Sequence, residues 1–223
     1  MRHYVVAVFG IFSLATACIA QDATNADNAA NPTTSILIAR TGESFQSPHV
    51  GTYHLVEFFQ LRGKWIYPDV GYIDFGTNNY HEVFVGGGRT FYDGKKGMVI
   101  EEFYYDQAFG PASKSARYFQ PWTFVQVNLS PKFAGEAVYF PYLPLNQSAR
   151  IQHVLERVKV ERKIGKNWRI GAGYAGYKYG DEKWQNKPFV TVTRGPVEIW
   201  PFQKIPGGAQ AQLRLTFSHT AKK

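Results

Sequence analysis

The sequence predicts an all-β protein: a single antiparallel up-and-down β-barrel of ten or twelve long strands, built to sit in a membrane. Three observations carry this. Near the end of the chain, Ala211, Leu213, Leu215 and Phe217 alternate with Gln212, Arg214 and Thr216, which is strict period-2 patterning. From Thr52 onward most strand-like segments run about 10 to 13 residues, longer than the ~5–6 of soluble strands and close to the ~9–11 of tilted membrane strands. No stretch beyond the N-terminus approaches the ~20 apolar residues of a membrane helix. A membrane crossing must then be a closed barrel, the only other way to satisfy backbone groups in lipid.

The elements follow in order. Arg2 and His3 precede an apolar run, Tyr4 to Leu14, and then the small residues of Ala15-Thr-Ala-Cys-Ile-Ala20. A basic start, a short apolar core and a small-residue cut make 1–20 a secretory signal peptide, leaving Gln21 as the mature N-terminus. Cys18 is the only cysteine, so the mature chain forms no disulfide. Ala15-Thr-Ala-Cys18 also resembles a lipoprotein site, which leaves lipidation of Cys18 open. Residues 21–50 are Asn/Ala/Asp-rich at first and read as a flexible leader carrying one short strand, Ser35–Ala39. Residues 51–218 form the barrel domain and 219–223 a tail.

Within the barrel the expected strands are Thr52–Leu61, Lys64–Phe75, Tyr80–Phe91, Gly97–Asp106, Ala116–Leu129, Ala134–Leu143, Ile151–Arg162, Trp168–Tyr179, Phe189–Trp200 and Ala211–Phe217. Arg62-Gly63, Asp93-Gly94-Lys95-Lys96-Gly97, Ser130-Pro131, Gly165-Lys166-Asn167 and Pro206-Gly207-Gly208 punctuate them. Short turns in membrane barrels lie on the periplasmic side, as do both termini in this family type. That phase requires an extra strand before Thr52, at Ser35–Ala39, and another created by a break at Arg194-Gly195-Pro196; hence ten or twelve.

Faces are legible in several segments. Phe119, Val125, Val127 and Leu129 oppose Gln120, Gln126 and Asn128. Trp168, Ile170, Ala172 and Tyr174 oppose Arg169, Gly171, Gly173 and Ala175, and small inner residues relieve crowding in a narrow barrel. Tyr53, Leu55, Phe59 and Leu61 form an apolar face interrupted by Glu57, as Val154, Val158 and Val160 are by Glu156. Tyr53, Trp65, Trp168 and Trp200 are candidates for interfacial aromatic girdles.

The signal, the cysteine-free mature chain, the long aromatic-rich strands and the alternating last strand ending in Phe217 together resemble a bacterial outer-membrane β-barrel of the small porin-like or OmpA-like type. The resemblance covers Gly51 to Phe217, and Ser218–Lys223 continue past the terminal aromatic. It implies an outer-membrane location, with outer-membrane lipid and the barrel assembly machinery as partners.

For function, the sequence offers no Gly-x-Ser-x-Gly, no His-Glu-x-x-His and no phosphate loop. No catalytic residue is assigned, and enzymatic activity stays open. His49, His54, His81, His153 and His219 are not at metal-ligand spacing, so neither a metal site nor a cofactor is expected. The net charge of +8 is scattered rather than clustered, and an exported chain rarely meets nucleic acid. If Val154, Val158 and Val160 face outward, then His153, Arg157, Lys159 and Glu161 face the lumen, joined by Arg169 and Arg214 from their own strands; Glu101 or Glu102 lies across from them. The sequence therefore points to a small barrel with a narrow or plugged basic lumen, serving as a channel, a surface-binding or a structural component, with small anionic solutes as candidate cargo. An outer-membrane lipid-modifying enzyme and a soluble, exported, lipocalin-like barrel for an apolar ligand stand as alternatives. The oligomeric state is not legible.

Overall fold

The structure, a computed structural model, describes residues 32–45, 52–75 and 79–221. The expected signal peptide, Cys18 and most of the expected leader lie outside the described residues. Twelve antiparallel strands close into one barrel: β1 (Thr33–Ser44), β2 (Tyr53–Arg62), β3 (Trp65–Phe75), β4 (Tyr80–Gly94), β5 (Gly97–Phe109), β6 (Arg117–Asn128), β7 (Phe133–Pro144), β8 (Gln152–Ile164), β9 (Trp168–Tyr179), β10 (Gln185–Arg194), β11 (Val197–Ile205) and β12 (Gly208–Thr220). Each strand pairs with its sequence neighbours, and β1 pairs with β12 from Thr34↔Thr220 to Ser44↔Gln210. Closure leaves no sheet edge, so every ladder group has a partner without water.

The count is twelve for the reason the turn phase demands. The break at Arg194-Gly195-Pro196 separates β10 from β11, and Gly195 takes a φ of 56°, a left-handed conformation that glycine adopts without steric cost. The segment read as a short strand within a leader is a full wall strand, β1, of 12 residues. One end of the barrel carries the tight turns at 63–64, 95–96 and 195–196, together with both ends of the described barrel. The other carries the longer connections at 110–116, 145–151 and 180–184.

Burial is inverted relative to a water-soluble protein. Val83, Val85, Phe103, Val158, Val160, Ile170, Val190 and Ile199 are between 42% and 48% exposed on the outer surface, whereas Asp69, Asp106 and Thr191 are 0% exposed inside. A soluble barrel would place the apolar set in its core; a barrel in lipid turns it outward. Leu213, Leu215 and Phe217 point outward and Arg214 inward, as the terminal alternation requires. Phe119 is outward and Gln120 buried on β6, again as read from sequence.

Register shifts change the phase at points that alternation alone does not reveal. On β8, pairing slips between Leu155 and Val158, so Glu156 and the following Arg157 both reach the interior. On β3, the slip between Ile66 and Asp69 buries both residues. On β11, the slip between Trp200 and Gln203 does the same. An extra residue in one strand is what a β-bulge supplies.

Two girdle assignments are corrected. Trp65 (61% exposed) and Trp168 (44%) stand outward near the short-turn end, but Trp200 is buried and stacks on Phe189, ring centroids 3.8 Å apart. Tyr53 also points inward, donating from its hydroxyl to Gln212 Oε1 at 2.9 Å. Its whole face, with Leu55, Glu57, Phe59 and Leu61, is interior, by register with Arg40, Ile38, Ile36 and Thr34 of β1. That places Glu57 away from lipid.

Glycines make room inside. A Cβ on Gly173 would meet the Phe189 ring, Val158 O at 2.6 Å and Lys159 Cβ at 2.8 Å. Gly86 and Gly88 lie equally close to the β5 backbone, which accounts for the Gly86-Gly87-Gly88 run by packing. Gly173→Val is expected to lower the urea midpoint of the folded barrel by an amount equivalent to about 1–3 kcal/mol, the usual cost of overpacking. Unfolding followed by gel mobility of unboiled samples checks this.

Candidate functional site in the barrel interior

The interior divides into two chemically different walls. From β2 to β5, inward positions carry Glu57, Asp69, Glu82, Glu102 and Asp106, and among the described residues no Lys or Arg occupies an inward position from β2 to β6. From β1 and β7 to β12 they carry the cations Arg40, Arg157, Lys159, Arg169, Lys187 and Arg214 with the acids Glu136, Glu156, Glu161 and Glu198.

The acidic wall is held by hydroxyl and amide donors. Tyr104 donates to Asp69 Oδ2 at 2.9 Å, Tyr80 to Glu82 Oε1 at 2.6 Å and Tyr142 to Glu82 Oε2 at 3.0 Å. Gln120 donates to Asp106 Oδ2 at 2.9 Å. Asp69 neighbours Glu102, and Glu82 neighbours Asp106, so two carboxyl pairs are stacked along one side. Around them Tyr118 and Tyr142 meet edge-on at 5.1 Å and pack with Ala108, Ala116 and Ala149.

The second wall is an ion-pair chain. Arg157, 3% exposed, pairs with both Glu136 and Glu156. Lys159 Nζ lies 2.8 Å from Glu198 Oε1, 3.6 Å from Glu161 and 3.8 Å from Glu136. Arg169 Nε lies 3.6 Å from Glu161, whose Oε1 also accepts from Thr193 Oγ1 at 2.8 Å. Arg40 completes the chain. It pairs with Glu156, donates from Nε and Nη2 to Gln212 Oε1 at 3.1 and 2.6 Å, and lies over the rings of Trp200 (4.9 Å) and Tyr53 (5.6 Å). β1 and β8 stand five steps apart around a ring of twelve strands, where six is the maximum. The Arg40–Glu156 pair therefore crosses nearly the full width of the interior.

Of the lumen residues expected from sequence, Arg157, Lys159 and Glu161 are buried and joined in this chain, with Arg169 at its edge. Arg214 faces inward opposite Arg40 and Glu198 in register. His153 departs from the expectation. It shares a hydrogen bond with the Tyr139 hydroxyl at 2.8 Å on the outer face, while Val154 packs inside beside Tyr142 and Phe140. The slip after Leu155 is the physical reason: residues before it carry the opposite phase from those after it. Glu102 lies on the facing wall, whereas Glu101 stands outside in register with Arg89. The inward cations, including Lys163 in register with Arg169, are confined to one side, and inward carboxyls line both walls.

Arg40, Glu136, Glu156 and Glu198 were not expected from sequence. Arg40 sits in the segment read as leader; Ile36 and Ile38, four and two positions before it on the same face, are the signal of its phase. Two interior spaces adjoin the chain. One, lined by Arg40, Arg157, Glu198, Trp200, Gln212 and Arg214, is filled by these side chains with essentially no free volume; another, which includes Gln126, Glu136, Lys159 and Arg169, has about 10 Å³. Both are far below the ~300–1,000 Å³ of ordinary ligand pockets.

No protein-family model matches the chain, and no curated protein matches it in sequence. Solved structures do. It is similar to a structure described as "KdgM porin" (TM-score 0.59, 8% identity, 82% of this chain and 99% of that one). It is similar to "KdgM porin in complex with disordered oligogalacturonate" (TM-score 0.55, 8% identity, 85% and 99%) and to a NanC porin structure (TM-score 0.55, 10% identity, 83% and 100%). At these identities the shared property is the fold. The outward apolar belt of this chain is the surface that such a barrel turns toward lipid.

Proposed function

We propose that the protein is a narrow outer-membrane channel whose lumen is closed at mid-height by side chains in the resting state. The observation that carries this reading is the Arg40–Glu156 pair, which bridges nearly opposite strands and is locked by Gln212, Trp200 and Arg157. Twelve strands lie between the eight whose interior side chains just fill and the sixteen or more that leave an aqueous channel, so a few side chains decide whether a path exists. The short-turn end faces the periplasm, as in barrels of this kind. Outer-membrane lipid around the belt and the assembly machinery acting on β12 are the partners this reading implies.

The cargo proposed is a small anionic solute. One structural neighbour is described in complex with oligogalacturonate, and here Arg40, Arg157 and Arg214 converge on one space. Their charge is masked by Glu156, Glu136 and Glu198, so the anion path depends on parting those pairs. Planar-bilayer recording tests both halves. The wild type is expected to give only small or rare conductance steps, and Glu156→Ala larger ones that are anion-selective in a salt gradient, because a cationic constriction lowers the barrier for negative solutes. Wild-type currents as large as those of Glu156→Ala would refute the closed lumen. Cation selectivity in the variant would refute the anion path.

A further inference from the structure

We propose that the outer surface of the barrel at its short-turn end is a docking surface for anionic phospholipid headgroups, with Arg62, Arg89, Arg162 and Arg194 as the phosphate ligands. It rests on the membrane-embedded reading above and goes beyond it by naming the lipid class and the residues that select it.

Four observations carry the inference. The four arginines are all exposed and lie on the outward face of β2, β4, β8 and β10, close to the tight turns. Each stands in register beside an outward aromatic on the next strand: Arg62 and Arg89 flank Trp65, Arg162 pairs with Phe133 and Arg194 with Trp168. Two contacts are close, with the Arg89 guanidinium 5.2 Å from the Trp65 ring and the Arg194 guanidinium 5.0 Å from the Trp168 ring. The surrounding charge leans positive: the turn residues Lys64 and Lys132 add to the collar, against Asp93 and against Glu101, which stands in register with Arg89. The opposite end is mixed, carrying Glu43 and Asp74 as well as Arg117 and Lys178.

Position decides the partner. A solute passing through the lumen cannot reach residues on the outer wall. Aromatic rings at the edge of an apolar belt mark the headgroup level of a bilayer, and a guanidinium beside such a ring meets phosphate there. Arginine suits the task because its planar fork bonds phosphate at two points and stays charged throughout. Zwitterionic lipids also carry phosphate but offset it with an amine, so a collar in which cations outnumber acids selects lipids with net negative charge.

The test uses the folded barrel in vesicles of phosphatidylcholine with phosphatidylglycerol, brominating one lipid class or the other. Trp65 and Trp168 report contact through quenching. Brominated phosphatidylglycerol is expected to quench more strongly than brominated phosphatidylcholine at equal mole fraction, by up to roughly fivefold in local enrichment per arginine. The preference should fall at about 1 M salt, where screening acts within about 3 Å. It should also be lost when all four arginines become glutamine, in protein that retains the mobility of a folded barrel. Equal quenching by both lipids in the wild type would overturn the docking surface while leaving the membrane reading intact. No quenching by either would overturn both. An unchanged preference in the fourfold variant would overturn the assignment to these arginines.

Discussion

Arg157→Met should be the most damaging single change in the interior. Arg157 is held by Glu136 and Glu156 at once; the guanidinium is 3% exposed and the two carboxylates 19% and 21%. Removing the guanidinium leaves two acids to share Arg40 and Lys159, which already pair with them. Breaking a buried pair from one side costs about 3–5 kcal/mol, because the remaining charge has neither water nor a partner. The expected result is a much lower urea midpoint in detergent micelles, followed by the loss of the fast-migrating unboiled band. Combining Arg157→Met with Glu136→Gln and Glu156→Gln should recover much of the loss, since the orphaned charges go too. A single variant that unfolds within about 1 kcal/mol of the wild type would show that Arg157 is solvated and the network weak.

Leu215→Arg should impair the barrel more than Arg214→Leu, although the two residues are neighbours. Leu215 faces outward, in register with Ala39 and Val197 near the middle of β12. A cation there meets hydrocarbon, at a cost of about 2–4 kcal/mol at the bilayer midplane. Arg214 faces inward opposite Arg40 and forms none of the ion pairs that engage Arg40, Arg157 and Lys159 among the described residues. Its removal relieves like charge and leaves no acid stranded. Insertion yield into preformed vesicles and unfolding midpoint should rank wild type, Arg214→Leu and Leu215→Arg in that order. Equal loss in the two variants would mean that the two faces of β12 are not lipid and lumen.

The strand scaffold was largely legible before the structure. Nine of its turns fall where glycine, proline or a polar cluster breaks an aromatic run or where segments simply separate, and the phase of short turns already called for β1 and for the break at Arg194-Gly195-Pro196. The interior was legible only where alternation holds without interruption. Arg169 and Arg214 lie on uninterrupted stretches and face as read. His153 does not, because one extra residue at Glu156 reverses the phase of everything before it. Trp200 likewise turns inward beside the slip on β11.

Sequence by itself determined what local physics controls: strand length, turn position and the period of two that gives a strand one apolar and one polar face. What the tertiary structure decided is which charges meet. Arg40 and Glu156 are far apart in the chain and five strands apart around the wall, and nothing in the pattern of either segment names the other. Their contact follows from closure of β1 onto β12 and from the bulge on β8, both of which depend on the register of the whole ring. The separation of an acidic wall from an ion-paired one arises in the same way, because a lumen brings together residues from every strand and no single strand carries the sum.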